Sequence, residues 1–418
     1  MRQRYFALGI GSIFALMLAG CGGGSSSSAG VTSSLVNPTG KVTTFASVAA
    51  MKPGAGFFLI LDRPSGKVTV PIKLVGTSND SSGRVIYFSI EKQPIGEGDS
   101  GSLIVDKKGN SVGALATGVD ATGNTFSSTA IEDEESIFLS GPVASKPMVA
   151  ASGSGTALRR VVQGVSPYLW GIMSKDKRNN IPNVFTLDTS RAPKTSTRTS
   201  MATGTPYSTT IFMLSSYGDS VTAFTTGAIT TPYLGKMVCY GRPLSWEGGS
   251  QDIPCCYGKV IDMVNDAAYG YIKIGVPDPT KSAGTLVDDR RFGVIVDPTV
   301  QATPITIDGT VTLNTNAPVT FHGKVSKDLQ YESNFALTNV TQGVENVLDA
   351  SDAAGSATGS ATVNFADGTS QTVDLTDSNS AALISDLYYA FQQVLYNTTT
   401  FAPIPLSSIT FNITITTS

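Results

Sequence analysis

The sequence Gly98-Asp99-Ser100-Gly101-Ser102 decides how the rest of the chain is interpreted. It joins two runs typical of β-strands, 84–90 and 102–105, and a hairpin continues into 111–116. A serine between glycines in a tight bend has an exposed hydroxyl, and its small neighbours leave room for a reacting carbonyl. Backbone N–H groups of the bend can point at a developing oxyanion. Ser100 is therefore a candidate nucleophile, and its partners have to be found elsewhere in the chain.

The composition indicates a folded, turn-rich and β-rich protein. Hydrophobic residues make up 41% of the 418 residues and charged residues 15%, with 43 glycines. A chain of this length exceeds one small core, so two or three domains are expected. The net charge of −3 gives no electrostatic affinity for nucleic acid or for an anionic membrane surface, so no nucleic-acid partner is expected.

The N-terminus has the pattern of a bacterial lipoprotein signal peptide. Residues 1–4 are positively charged, an apolar run follows at 5–18, and Leu-Ala-Gly-Cys at 18–21 is a small-residue cleavage site that ends in cysteine. In such a lipobox the cysteine is diacylated and becomes the mature N-terminus. We therefore predict a signal peptide at 1–20 and lipidation at Cys21. An ordinary secretory signal that contains a cysteine is the alternative.

A lipid anchor at Cys21 would tie the chain to a membrane. Glycines and serines follow it as a flexible tether over 21–40, and no later run reaches the ~18 apolar residues of a membrane span. Gly22 in place of aspartate resembles lipoproteins that are passed on to an outer membrane. The expected location is the bacterial cell envelope, lipid-anchored at the outer membrane and facing the periplasm or the exterior.

Three cysteines remain after lipidation: Cys239, Cys255 and Cys256. An oxidising compartment favours a disulfide between Cys239 and one of the adjacent pair, which leaves the third thiol buried or free. The Cys and His spacing of a zinc site is absent from the sequence, and the chain has a single histidine. We therefore expect no metal site and no cofactor.

Residues 41–300 have the short strands and the Gly and Pro punctuation of a β-rich region. Within it, 41–50 is predicted as a strand and 260–266 as a short helix. The four acids at 132–135 either start a helix or lie on a solvated face. The polar segment 175–200 is predicted as a long exposed loop or an insertion.

Residues 301–418 are predicted as a separate, C-terminal β-rich domain of the α+β type. Its strands alternate strongly, for example over 319–325, and Ala-Asp-Gly at 366–368 is a typical hairpin turn. One helix is expected at 380–395, because the apolar residues of that segment fall on one face.

The order of the motifs along the chain restricts the choice of peptidase family that the sequence can resemble. Chymotrypsin-type peptidases use the 98–102 string for their nucleophile but carry histidine and aspartate before it, whereas residues 41–99 contain no histidine. The chain instead resembles the SpoIVB peptidase family (family 55 of the serine peptidases) in its long, lipoprotein-like form, over about residues 41–418. The stretches that carry the resemblance are 52–56 (KPGAG), 95–102 (IGEGDSGS), 112–116 (VGALA), 129–133 (TAIED), 217–219 (YGD), 226–230 (TGAIT), 240–243 (YGRP), 284–290 (GTLVDDR) and 292–293 (FG).

The resemblance implies a trypsin-like double β-barrel over 41–300 and a serine endopeptidase. Ser100 matches the nucleophile, and its N–H and that of Gly98 match the oxyanion hole. Asp99 stands where the family often has an apolar residue, and Arg242 falls at the catalytic histidine of the family's Gly-His-Pro motif. Because a guanidinium has a pKa above about 12, Arg242 cannot serve as a general base near neutral pH.

Other groups are candidates for the missing base. His322 is either a surface or structural residue on a C-terminal strand, or a base that reaches Ser100 from another domain. A serine–lysine arrangement would need a lysine beside Ser100. Asp219 matches a family position and either orients a neighbour or is an ordinary turn aspartate. The lysines near Ser100 in sequence are Lys92, Lys107 and Lys108, of which the last two are predicted at a turn tip.

Three functions are compatible with these patterns. The first is an envelope lipoprotein with the peptidase fold that has lost its base and binds protein or peptide. The second is an active serine endopeptidase with Ser100 as nucleophile and a rearranged base, which cleaves itself or an envelope protein. The third is a structural cell-surface lipoprotein in which the 98–102 string is coincidental. The first is favoured, because Arg242 stands at the histidine position.

Overall fold

Antiparallel β-sheet dominates the chain and closes into two six-stranded barrels. The mainly β, trypsin-like double-barrel fold class expected from the sequence is therefore confirmed. The structure, a computed structural model, describes residues 36–80, 83–91, 95–96, 98–116, 124–139, 160–176, 184–187, 207–244, 250–266, 270–290, 292–328, 331–349, 353–396 and 402–417.

The predicted signal peptide, Cys21 and most of the tether lie outside the described residues. The same holds for most of the polar segment 175–200, of which only 175–176 and 184–187 are described. Among the described residues, no helix is both long and apolar enough to span a membrane.

The first barrel is formed by the strands on both sides of the Ser100 loop. Its elements in chain order are α1 (Phe45–Ala49), β1 (Gly56–Arg63), β2 (Gly66–Asp80), β3 (Gly83–Ile90), β4 (Leu103–Val105), β5 (Ser111–Ala116), β6 (Thr125–Ala130) and α2 (Ile131–Leu139). The strands close in the order β1-β2-β3-β6-β5-β4, with β4 pairing back to β1. Inside, the Phe88 ring lies 5.4 Å from Phe57 and 5.8 Å from Phe126. Each ring pair adds about 0.5–1.5 kcal/mol to the energy of burial.

The second barrel lies in the middle of the chain. Its elements and those that extend it are β7 (Arg160–Gln163), α3 (Pro167–Met173), β8 (Val184–Leu187), β9 (Thr210–Gly218), β10 (Thr222–Tyr233), β11 (Lys236–Cys239), β12 (Ser250–Asp266), β13 (Gly270–Arg290) and β14 (Gly293–Asp297). The order is β9-β12-β13-β14-β11-β10, and β10 closes the barrel by pairing with β9. Its interior is filled by apolar side chains such as Met213, Ile229, Leu286 and Val294.

The C-terminal region is a sheet covered on one face by helices. Its elements are β15 (Ile305–Leu313), β16 (Val319–Val325), α4 (Glu332–Leu348), β17 (Gly355–Phe365), β18 (Ser370–Asp374), β19 (Asp377–Ser380), α5 (Leu383–Leu395) and β20 (Leu406–Thr417). The strand order is β18-β17-β20-β15-β16. Alternate residues such as Ile307, Ile409 and Val363 share one apolar core with α4 and α5. Because β16 also pairs with β9, the sheet runs without a break from the second barrel into this region.

Some local expectations are wrong. Residues 45–49 form a helix and not a strand, because the Thr44 hydroxyl accepts a hydrogen bond from the Ser47 N–H at 3.3 Å as an N-cap. Residues 260–266 are the end of strand β12 and not a helix, since they pair with β13. The described C-terminal region has two helices where one was expected. The unexpected helix α4 is buried on almost all sides, so no apolar stripe marks it in the sequence.

The acidic run 132–135 belongs to helix α2, which is one of the two structures expected for it. Acids in the first turn favour this helix, because the positive end of its dipole lies there. Glu132 and Asp133 both pair with Arg84 of strand β3. Glu134 is 0% exposed, so the alternative of a solvated face is wrong for this residue.

Candidate functional site in the Ser100 loop

The Ser100 loop connects β3 to β4 and presses against the second barrel. The bend is tight, since the Asp99 N–H donates to the Gly96 oxygen at 3.1 Å and the Ser102 N–H donates to the Asp99 oxygen at 2.9 Å. Gly101 has a φ of +85°, and a Cβ there would lie 2.4 Å from the Ala228 oxygen. Glycine is therefore required at this position both for the backbone conformation and for the close approach of the second barrel.

The Ser100 hydroxyl is buried and is used as a structural hydrogen-bond donor. The residue is 0% exposed, and its Oγ donates to the main-chain oxygen of Tyr240 at 2.8 Å. Its own carbonyl accepts from the Ala228 N–H at 2.9 Å. The Thr230 hydroxyl donates to the Gly101 oxygen at 2.6 Å. The prediction of an exposed hydroxyl is therefore wrong, because the backbone of β10 and of Tyr240, directly after β11, covers Ser100.

The segment just before Arg242 lies against the Ser100 loop. The Ser100 hydroxyl binds the carbonyl of the residue two positions before Arg242, and Arg242 is 9% exposed. Tyr240 has a φ of +79°, a strained backbone conformation for a bulky residue. Its own hydroxyl donates to the Thr225 oxygen at 2.7 Å and so holds the ring in the barrel.

Asp99 lies at the centre of a buried ion cluster that the sequence did not predict. Arg63, at the end of β1, binds both carboxylate oxygens of Asp99 at 2.5 and 3.0 Å. Lys273 of β13 places its Nζ 2.8 Å from Oδ1, and the two side chains are each 0% exposed. Burial alone would raise the pKa of Asp99, but Lys273 and Arg63 together hold that pKa below its usual value.

The Lys273 ammonium also donates to the Gly98 oxygen at 3.1 Å. The resemblance matches the Gly98 N–H to an oxyanion hole, whereas in the structure the Gly98 carbonyl holds a lysine. Gly98 has a φ of +82°, and a Cβ there would lie 3.0 Å from the Cβ of Lys273. The lysine stem therefore occupies the space beside the loop.

The other candidate bases lie on the surface. The His322 side chain is 65% exposed, and its Nδ1 lies 2.8 Å from Oδ1 of Asp308 on the neighbouring strand. Its main-chain N–H donates to Asp219 at 2.8 Å, so Asp219 caps a strand end. Lys107 and Lys108 are exposed at the turn after β4. Lys92 lies outside the described residues. The Ser100 hydroxyl is bonded to Tyr240, and not to any of the described groups among these candidates.

The three described cysteines are free thiols, so the predicted disulfide is not formed. Cys239 and Cys255 lie in one apolar cluster inside the second barrel, and Cys256 lies in the neighbouring one. Burial raises the pKa of all three thiols, that of Cys256 to about 12. Among the described residues, no group of His, Cys, Asp and Glu side chains could hold a metal ion.

Glu134 is a second buried titratable group, on the first barrel where it faces the second. The Thr129 hydroxyl donates to its Oε1 at 2.6 Å. Its Oε2 has no hydrogen-bond partner among the described groups. A Cβ on Gly293 of the second barrel would lie 3.2 Å from this oxygen. Burial is the main reason that the pKa of Glu134 is raised to about 8, with a smaller contribution from Asp133.

The fold and this interface define a class of protein: a trypsin-like double β-barrel whose Gly-Asp-Ser-Gly loop is closed by its own chain. No family model matches the chain, and no curated protein matches it in sequence.

Proposed function

We propose that the chain is a lipid-anchored envelope protein with the architecture of a SpoIVB-type serine endopeptidase but without its hydrolytic activity. It acts by binding a protein or peptide. The observation that carries the proposal is the hydrogen bond from the buried Ser100 hydroxyl to the Tyr240 carbonyl oxygen at 2.8 Å.

Nucleophilic attack needs a hydroxyl that faces the substrate and a base that takes its proton. In this chain the proton of Ser100 is directed at a main-chain carbonyl, which is a negligible base. Arg242, at the position that the family gives to histidine, keeps its own proton at any physiological pH. Loss of a triad base alone costs many thousand-fold in rate. Burial of the nucleophile adds to this loss, because the substrate carbonyl cannot reach the oxygen.

Retention of the loop geometry supports a binding role. Gly98 and Gly101 keep positive φ angles, and the loop is fixed by hydrogen bonds and by the ion cluster around Asp99. A loop of this rigidity is suited to positioning a ligand, since little conformational entropy is lost on binding. The resemblance to endopeptidases supports a protein or peptide as that ligand.

Purified full-length chain should not react with a fluorophosphonate probe, because Ser100 is buried and its hydroxyl donates to a main-chain carbonyl. The measurement is in-gel fluorescence of the folded protein beside an active serine peptidase. Arg242→His should remain unlabelled too, since an imidazole there leaves Ser100 bound to Tyr240. Labelling of the wild type that disappears in Ser100→Ala would establish the active-peptidase alternative instead.

Lipidation at Cys21 should be visible as incorporation of labelled palmitate when the chain is expressed in bacteria. Cys21→Ser should abolish the label and shift the protein from the membrane to the soluble fraction, because the thioether-linked lipid is then missing. Ser28→Ala, in the same tether, is the matched control and should keep both. Equal labelling of the Cys21→Ser variant would contradict the anchor.

A further inference from the structure

Strands β12 and β13 extend beyond the second barrel as a two-stranded arm, whose described residues are 259–266 and 270–276. Strand β12 pairs with its barrel neighbour β9 only at Cys255–Tyr257. From Lys259 onward, β12 pairs with β13 alone in the described part of the chain, as far as Asp266 opposite Gly270. The register shifts three times between 255 and 262, so the ladder is irregular where the arm leaves the barrel.

The inner strand of the arm, residues 270–276 of β13, is buried on both faces at Ile272, Lys273 and Ile274. Ile272 and Ile274 face the barrel and pack with Phe212 and Phe224. Lys273, on the opposite face, points to the Ser100 loop. The outer strand, residues 259–266 of β12, remains accessible, since Lys259, Ile261 and Asp262 are exposed. The arm therefore covers the loop in the way that an added strand would cover a binding groove.

Lys273 of the arm contacts the Ser100 loop in the way that the side chain of a bound ligand would. Its ammonium binds the Asp99 carboxylate at 2.8 Å and the Gly98 oxygen at 3.1 Å. Its stem packs on Gly98, where a Cβ would leave only 3.0 Å. An acidic group, a carbonyl and a missing side chain together make a pocket that accepts a long, unbranched cationic side chain.

We propose that Gly98 and Asp99 form a lysine-binding pocket, which Lys273 fills from within the chain and which opens to a lysine-bearing extended peptide when the arm is displaced. This inference rests on the proposed binding function and names the class of its ligand.

Two features allow a lysine of a bound peptide to replace Lys273 in the pocket. Asp99 keeps its bidentate partner Arg63 when Lys273 leaves, so the carboxylate is not left bare. The Lys273 ammonium regains its hydration in water, which offsets part of the cost of breaking its buried contacts. An incoming lysine restores the same contacts, whereas an uncharged side chain of equal length leaves the carbonyl and carboxylate without their donor.

Chemical rescue tests the pocket. Lys273→Ala removes the side chain beyond Cβ, and n-propylammonium has the length of the missing part. The thermal unfolding temperature of this variant should rise with n-propylammonium and should not rise with n-propanol. At a hundred times its dissociation constant, the amine should shift the unfolding equilibrium by about 100-fold. Lys259→Ala, on the exposed strand of the same arm, is the control and should respond to neither. Equal effects of the amine and the alcohol on Lys273→Ala would overturn the proposal.

Hydrogen exchange of the wild-type chain tests the displacement without any variant. The amides of the arm should exchange about tenfold faster than those of 284–288, the part of β13 inside the barrel. Acetyl-Ala-Ala-Lys-Ala-Ala-amide should accelerate exchange of the outer strand, and the same peptide with norleucine should not. Equal protection of arm and barrel, or equal effects of the two peptides, would overturn the proposal. If the fluorophosphonate probe still leaves Ser100 unlabelled, such a result defeats the lysine pocket alone and not the non-hydrolytic function.

Discussion

Asp99→Asn should lower the free energy of unfolding by about 3–5 kcal/mol, the range for breaking a buried ion pair from one side. The carboxylate is 0% exposed and binds Arg63 of its own barrel together with Lys273 of the other barrel. The amide cannot neutralise either cation, and its NH₂ group meets a donor where an acceptor stood. The measurement is urea-induced unfolding of the purified chain near neutral pH.

An exposed ion pair of the first barrel provides the control. Lys73 and Glu91 pair on the surface, with side chains 56% and 65% exposed. Glu91→Gln should therefore change the free energy of unfolding by at most about 1 kcal/mol. Replacing the whole cluster with Arg63→Met, Asp99→Leu and Lys273→Met should recover most of the stability lost in Asp99→Asn, because no buried charge is then unpaired. A single Asp99→Asn variant as stable as the wild type would show that the cluster is hydrated in solution.

The sequence was sufficient for the fold class. Gly98 and Gly101 mark a tight bend, and the Ser100 loop contacts the second barrel at Tyr240, two residues before Arg242. Sequence alone could not show that the hydroxyl is covered. The missing side chain of Gly101, which was expected to admit a substrate, instead admits the backbone of Ala228 and Tyr240. Glycine signals close approach, but not the identity of the group that approaches.

Lys273 could not be predicted for a related reason. In Tyr-Ile-Lys-Ile the period of two places Ile272 and Ile274 on one face and Lys273 on the other, which normally predicts a solvated lysine. Here the arm lies between an apolar cluster and the Ser100 loop, so both faces are buried. Only the position of the arm in the folded chain shows that Lys273 is buried and not solvated. The same holds for helix α4, since a helix covered on most sides needs no amphipathic pattern.

Glu134→Gln should make the protein more stable in alkaline solution, because it removes the part of the loss of stability between pH 5 and 9 that Glu134 causes. The folded pKa of Glu134 is raised from 4.5 to about 8 by burial. Between these two values the folded state holds the proton and the unfolded state has released it, so stability falls as pH rises through this window. The stability that the protonated Glu134 contributes is complete below pH 4.5 and is lost once the pH has passed 8.

The shift corresponds to at most about 5 kcal/mol at pH 9, since one pKa unit is worth about 1.4 kcal/mol. Glutamine keeps the shape and cannot ionise, although its buried NH₂ group costs about 1–3 kcal/mol at every pH. The variant should therefore be slightly less stable than the wild type at pH 5 and more stable at pH 9, so the two stability curves cross. Glu332, whose pKa is raised to about 7 mainly by burial, contributes equally to both proteins and cancels in the difference.

Urea unfolding at each pH measures this difference directly, with Glu91→Gln as the exposed control whose profile should parallel the wild type. Parallel profiles for Glu134→Gln and the wild type would mean that water reaches Oε2 and that the carboxylate is ionised in the folded state. A crossing near neutral pH would instead show that the two barrels are joined through a carboxyl group that must keep its proton. The contact between the two barrels would then weaken as the pH rises.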